Sequence, residues 1–252
     1  MSDRGPGRPG CGAGLEPGDL VRAAAEYLAY QAELGLAGID PELLRQAGRK
    51  VRAVEGRGRL NPAEALREVR QELGECTRCP LHRGRTNIVF GEGDPFARVM
   101  FVGEGPGEDE DAQGLPFVGR AGQLLTDIIV KGMKISRSEV YIANVVKCRP
   151  PQNRDPAPEE EDRCLPFLFK QIEAIEPRVI VALGRVAANA LLGRDQPISR
   201  LRGVWHELRG VPLMPTFHPS YLLRSPGAKR EVWSDIKQVM EKLGLLIEEK
   251  KS

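Results

Sequence analysis

Three groups of residues in this chain are equipped for chemistry. The first is the turn "VGEGPGEDED", residues 102–111, with five carboxylates in eight positions: Glu104, Glu108, Asp109, Glu110 and Asp111. A glycine-rich turn after an apolar strand ordinarily cradles phosphate, and these charges would repel it. The second group is four cysteines: Cys76 and Cys79 in "CTRC", then Cys148 and Cys164 with fifteen residues between them. The third is three single side chains: Phe117 in "GLPFVGRAG", Asn144 in "ANVVKC" and His218 in "TFHPSYLL". Acids on one side and polar donors on the other suit a transition state that is positive at one end and negative at the other. Breaking the bond between a sugar and a base is such a reaction. The sugar turns oxocarbenium-like and favours nearby carboxylates, while the departing base gains charge and favours hydrogen-bond donors. Losing one such donor typically costs about 2.7–4 kcal/mol of barrier.

Each group also has a plainer reading. Acids at a helix start complement the macrodipole, which suffices for Glu108 and Asp109. Phe117 could pack in a core, and a lone histidine is more often a satisfied interior residue than a catalyst. His218, however, precedes a proline at a strand end. Asn144 closes a buried strand, so its amide needs partners from protein or ligand. It offers a donor and an acceptor side by side, which matches the pairing edge of a base. Core thiols fit poorly in stretches as polar as "ECTRCPLHRGR" and "KCRPPQNRDP". One tight pair plus two separated cysteines suits a cubane iron–sulfur cluster at least as well as zinc, and spacing alone leaves both open. Cys11, in the tail, belongs to no site.

Four apolar runs must position these groups: "RVMFVG" (98–103), "VYIANVV" (140–146), "RVIVALG" (178–184) and "VPLMPTF" (211–217). Each is too continuous for a one-sided strand and predicts one buried on both faces. Helical patterns follow them: "GQLLTDIIVKGM", "EEEDRCLPFLFKQIEAI", "RVAANALLG" and "KREVWSDIKQVMEKLGLL". Alternation of this kind predicts a parallel sheet with helices on both sides. Ligands then bind beyond the carboxyl ends of the strands, which selects segments 103–117, 144–149 and 217–224. Upstream, residues 1–17 are Gly/Pro-rich and expected to be disordered. Residues 18–37 predict a helix capped by Asp19, "GRGRLNP" (56–62) a linker, and 61–76 a helix capped by Asn61 with Pro62 in its first turn. Residues 18–66 are thus set apart as a helical extension and linker.

The 252 residues suffice for one sizeable core plus an appendage, and 41% hydrophobic content excludes a disordered chain. No apolar run reaches membrane-spanning length, and the N-terminus lacks a secretory signal. A cytoplasmic setting is expected, where structural disulfides are rare. A net charge of +2 favours no partner. Residues 200–230 nevertheless hold Arg200, Arg202, Arg209, Arg224, Lys229 and Arg230 against Glu207 alone, a local excess able to neutralise nucleic-acid phosphates.

In motif order and spacing the chain resembles the family 4 uracil-DNA glycosylases, the iron–sulfur branch of that superfamily, over roughly residues 70–245. The matching pieces are "CTRCPL", "GEGPGEDED", "LPFVGRAGQLL", "NVVKCRPPQNRDP", "EEEDRCLPFL" and "HPSYLLR". The resemblance implies a three-layer α/β/α sandwich around a four-stranded parallel sheet, with the glycosylase domain over residues 67–252. It implies a [4Fe–4S] cluster on Cys76, Cys79, Cys148 and Cys164. It also implies a deoxyuridine flipped out of uracil-containing DNA, cleaved at its N-glycosidic bond to leave an abasic site. Glu104 and Gly105 would border the uracil, Phe117 would stack on it and Asn144 would read its edge. His218 would hold the carbonyl oxygen that gains charge. Leu222 or a neighbour would fill the vacated place in the helix, with Tyr221 beside it and Arg224 near the backbone.

Other branches carry a water-activating Asp or Asn as the third residue of the first motif, where this chain has Gly105. Glu104 is the leading substitute, with Glu110 and Asp111 behind it, and electrostatic stabilisation is expected to outweigh base catalysis. A monomer that does not engage membranes is expected. One alternative is a related protein that grips uracil-DNA, even covalently, without turning it over; the loop which that branch inserts after "KCRPP" is missing here. Another is an electron carrier, which would not need the motifs at the strand ends.

Overall fold

The computed structural model describes residues 60–245. The predicted tail, the helix over 18–37, Cys11 and most of the linker lie outside the described residues. The described elements run α1 (Pro62–Leu73), β1 (Glu92–Gly93), β2 (Val99–Gly103), α2 (Glu108–Gln113), α3 (Arg120–Asp127), β3 (Tyr141–Asn144) and α4 (Pro158–Ile175). They continue with β4 (Val179–Leu183), α5 (Arg185–Leu192), α6 (Ile198–Leu201), β5 (His206–Leu208), β6 (Val211–Thr216), α7 (Pro219–Arg224) and α8 (Lys229–Leu243).

All four apolar runs are strands. They form the parallel centre β3-β2-β4-β6 of a six-stranded sheet of order β1-β3-β2-β4-β6-β5. The two outer strands are antiparallel to their neighbours and were not legible from the sequence. β1 has two residues and β5 three, of mixed polarity, so neither gives a periodic signal. β5 and β6 are joined through Arg209–Gly210, both at positive φ, the requirement of a tight hairpin turn.

Side chains alternate across a strand, and here both faces are apolar. Met100 and Val102 of β2 join a core with Leu168 and Ile172 of α4, Ala187 and Leu191 of α5 and Leu201 of α6. Val99 and Phe101 join a second core with Leu125 of α3 and Val232, Ile236 and Val239 of α8. These are the three layers, with the sheet in the middle. α1 starts in a capping box: Asn61 Oδ1 accepts from the Glu64 backbone N–H at 3.0 Å, and the Glu64 carboxylate accepts from that of Asn61 at 3.3 Å. Leu66 in this helix belongs to the first core. The run "GQLLTDIIVKGM" is α3 continued by one π-helical turn, Ile128–Met133, which ends at Lys134 in the left-handed region. Because the four central strands are parallel, their carboxyl ends share one edge of the sheet, and there the selected segments meet.

Candidate functional site

A cavity of about 670 Å³ opens at that edge. Glu104, Gly105, Phe117, Asn144, His218, Tyr221 and Arg224 all line it. Gly184 and Arg185, at the tip of β4, line it too. They were missed in the sequence although the strand-end rule pointed to them.

Asn144 is the last residue of β3 and 1% exposed. Its Oδ1 is buried with no hydrogen-bond partner among the described residues, so an unsatisfied acceptor lies beside the cavity that the residue lines. Its backbone carbonyl is held from behind by the buried Lys147 Nζ at 2.8 Å. Lys147 also donates to Gln171 Oε1 at 2.6 Å, and Gln171 Nε2 donates to the Phe90 carbonyl at 2.9 Å. The strand tip is therefore fixed while the amide stays available. Gly103 makes this possible, since a Cβ there would lie 2.5 Å from both Asn144 Oδ1 and Phe117 Cζ.

His218 caps the N-terminus of α7, with Nδ1 accepting the Ser220 backbone N–H at 3.1 Å. Burial, followed by the Arg224 charge, pushes its pKa down to about 4. The ring is neutral at pH 7, and with Nδ1 accepting, the remaining proton sits on Nε2 as a donor. The Phe117 ring lies 5.6 Å from the imidazole, centroid to centroid. Glu104 is held differently. Burial, and then repulsion from Asp155, lift its carboxyl to about 7 against the pull of Arg185. Its carboxylate has no hydrogen-bond partner among the described residues.

The acids of the turn divide by task. Glu110 Oε1 accepts from the backbone N–H groups of Val118 and Gly119, each at 2.9 Å, and Oε2 from that of Gly107 at 3.1 Å. Asp111, 3% exposed, accepts from the N–H groups of Thr86 at 2.9 Å and Asn87 at 3.3 Å. Glu108 stands 3.5 Å from Arg149. Glu110 and Asp111 are thus anchors for backbone, which leaves Glu104 and Asp109 as the acids of the turn that line the cavity without a hydrogen bond or ion pair among the described residues. Of the two, only Glu104 sits at the tip of β2 with its carboxyl shifted by burial. Gly105 has no space for a side chain, because a Cβ would lie 2.7 Å from Val146 Cγ2.

Two expectations need correction. Leu222 is 1% exposed and packs in the second core, so it does not face DNA from this position. On the same short helix Leu223 and Tyr221 are each 39% exposed, and a single residue of helix rotation separates the two leucines. The basic stretch 200–230 is likewise only partly available. Arg202 is held by Asp235 at 2.6 Å and Glu231 at 3.0 Å, and stacks on Phe217; Arg209 pairs with Glu173. Arg224 lines the cavity.

The four cysteines come from three places: the loop after α1, the loop after β3, and α4. All line one small cavity, together with Arg78, His82, Arg85, Lys147 and Arg163. Arg85 Nη1 donates to Cys148 Sγ at 3.4 Å and the Lys147 backbone N–H to Cys164 Sγ at 3.3 Å. Burial raises the pKa of Cys79, Cys148 and Cys164, the last to about 11. Among the described residues no group of three or more His, Cys, Asp or Glu side chains is arranged as a site for a metal ion. Nor is any described helix long and apolar enough to cross a membrane.

Comparison with known proteins agrees with this geometry. Residues 90–237 match the family model described as the uracil DNA glycosylase superfamily. The chain is 51% identical over 181 residues to a type-4 uracil-DNA glycosylase of Thermotoga maritima, covering 69% of this chain and 93% of that protein. It is 43% identical over 189 residues to the type-4 enzyme of Archaeoglobus fulgidus, covering 72% and 94%. A type-5 uracil-DNA glycosylase of Pyrobaculum aerophilum is 35% identical over 183 residues, 60% of this chain and 80% of that one. The motifs at the strand tips, the unpartnered Asn144 oxygen beside the cavity and these similarities lead to one assignment: the chain belongs to the uracil-DNA glycosylase superfamily, among its type-4 members.

Proposed function

We propose that the protein excises uracil from DNA, hydrolysing the N-glycosidic bond of a flipped-out deoxyuridine to release the base and leave an abasic site. The observation that carries this is the orphaned Asn144 Oδ1. A buried acceptor without a partner is costly, and uracil offers the N3–H donor it lacks. Cytosine presents an acceptor at the same place and would leave the oxygen unsatisfied. Phe117 supplies a face for the ring. Neutral His218 points Nε2–H at the carbonyl oxygen that gains charge as the bond breaks, and does so without a counter-charge to desolvate. Glu104, when ionised, stabilises the cationic sugar and orients water toward it. Arg224 stands at the cavity for a flanking phosphate, while Arg185 is paired with Asp155 at 2.5 Å, and Leu223 with Tyr221 is the exposed apolar pair that would fill the gap in the duplex.

Cys76, Cys79, Cys148 and Cys164 would hold a [4Fe–4S] cluster. The residues fit it: four thiols from three segments face one small cavity among cationic side chains, and N–H groups of Arg85 and Lys147 already donate to two of the sulfurs. When bound, the cluster supplies cross-linking of three chain segments rather than a step of the reaction. On this reading the glycosylase domain spans residues 67–252, in a cytoplasmic monomer. The test is incubation of purified protein with a uracil-containing oligonucleotide, followed by alkali. Strand cleavage at the uracil is expected. An intact strand would remove the proposal, and an adduct surviving a denaturing gel would replace it with covalent capture.

A further inference from the structure

Phe117 has a backbone that phenylalanine avoids. Its φ is +53°, in the left-handed region where a Cβ crowds the chain. On one side of it the Pro116 carbonyl accepts from Arg137 Nη2 at 2.7 Å. On the other, the N–H groups of Val118 and Gly119 both donate to Glu110 Oε1 at 2.9 Å. The guanidinium is itself fixed, with Nη1 donating to Thr126 Oγ1 at 3.0 Å and Glu92 standing 3.7 Å away. Glu110 is fixed by its second oxygen on Gly107. Gly122 closes the turn from below, since a Cβ there would lie 1.9 Å from the Phe117 carbonyl oxygen. Arg137 belongs to none of the motifs that carry the family resemblance and does not line the cavity of about 670 Å³. It nevertheless holds the peptide unit that enters the strained residue, as Glu110 holds those that leave it.

We infer that Arg137 and Glu110 are positioning residues for excision: a two-sided ionic clamp that keeps Phe117 left-handed and so aims its ring across the base site. Charged groups suit the task, because hydrogen bonds to an ionised partner are about twice as strong as neutral ones. With either jaw lost, the residue relaxes toward an ordinary φ, and its ring leaves the position beside Asn144 and His218. This inference rests on the proposed stacking of uracil on Phe117.

The test is a double-mutant cycle on the full chain. Arg137→Gln, Arg137→Lys and Glu110→Gln are made alone and combined with Phe117→Ala. Each is assayed by single-turnover cleavage of a uracil-containing single strand, by DNA affinity and by inhibition with free uracil. In the wild-type background Arg137→Gln and Glu110→Gln should slow cleavage about ten- to a hundredfold, with DNA affinity held within about threefold and uracil inhibition weakened in parallel. Arg137→Lys should restore part of the rate. In the Phe117→Ala background the same substitutions should change the rate by less than about threefold. Equal losses in both backgrounds, or no loss in the first, would overturn the clamp. If Glu110→Gln does not fold, the Arg137 arm decides alone. Backbone amide hydrogen exchange at Val118 and Gly119 separates this inference from the enzymatic one. Arg137→Gln should speed exchange there even if wild type released no uracil, and unchanged exchange would refute the clamp.

Discussion

The pKa of Glu104 gives the sharpest test of the site. Burial and the neighbouring Asp155 lift its carboxyl to about 7, with Arg185 pulling the other way. A group with that midpoint is about 9% ionised at pH 6, about half at pH 7 and about 91% at pH 8. If the ionised form faces the cationic sugar, the single-turnover rate should climb about fivefold from pH 6 to 7 and about twofold more by pH 8. His218 does not confuse this window, because its pKa of about 4 leaves it neutral throughout. Glu104→Gln should lower the rate about a hundredfold at pH 8 and flatten the profile, so the ratio of wild type to variant falls about tenfold by pH 6. Two further changes fix the cause. Asp155→Asn removes a repulsion and should move the rise to lower pH, while Arg185→Gln removes an attraction and should move it higher. The assay is alkaline cleavage of a labelled uracil oligonucleotide under saturating protein, at constant ionic strength because phosphate contacts depend on salt. An acid limb that persists in Glu104→Gln, or a midpoint near the ordinary carboxylate value, would refute the assignment.

Four other outcomes are expected. Asn144→Ala should leave thermal stability unchanged or raised, since it removes an unsatisfied oxygen, while slowing uracil release by about 10²–10³; a large loss of stability would mean that the amide is a structural group. Leu222→Ala should destabilise by about 2–5 kcal/mol as a core deletion. Leu223→Ala should change stability by less than about 0.5 kcal/mol and impair cleavage of duplex more than of single strand, as compared in one gel assay. Chemical analysis of protein purified without oxygen should give about four irons and four sulfides per chain, with visible absorption lost in Cys164→Ser; zinc in their place would overturn the cluster.

Much of this site was legible in the sequence because the informative residues sit at the ends of long apolar runs. Once "RVMFVG", "VYIANVV" and "VPLMPTF" read as parallel strands, the edge that gathers Glu104, Asn144 and His218 followed. The acid turn was legible as a cluster and not as separate tasks. Nothing in "GEDED" tells that Glu110 turns toward Val118 and Gly119 while Asp111 turns toward Thr86 and Asn87, because those partners are brought in by the fold. Leu222 and Leu223 differ by one step of helix rotation, and only packing against α3 and α8 decides which is buried. Arg137 gave no signal at all. Its partners, Pro116 and Thr126, lie on a different segment, and a backbone at positive φ on a phenylalanine leaves no compositional mark.

The sheet ends in a two-residue strand on one side and a three-residue strand on the other. A passing chain that tried to extend the sheet would find hardly any unpaired amide and carbonyl groups to zip onto. The apolar strands at its centre are sealed against fibre-like growth, and the protein is left to meet long polymers through the strand tips instead of the sheet's flanks.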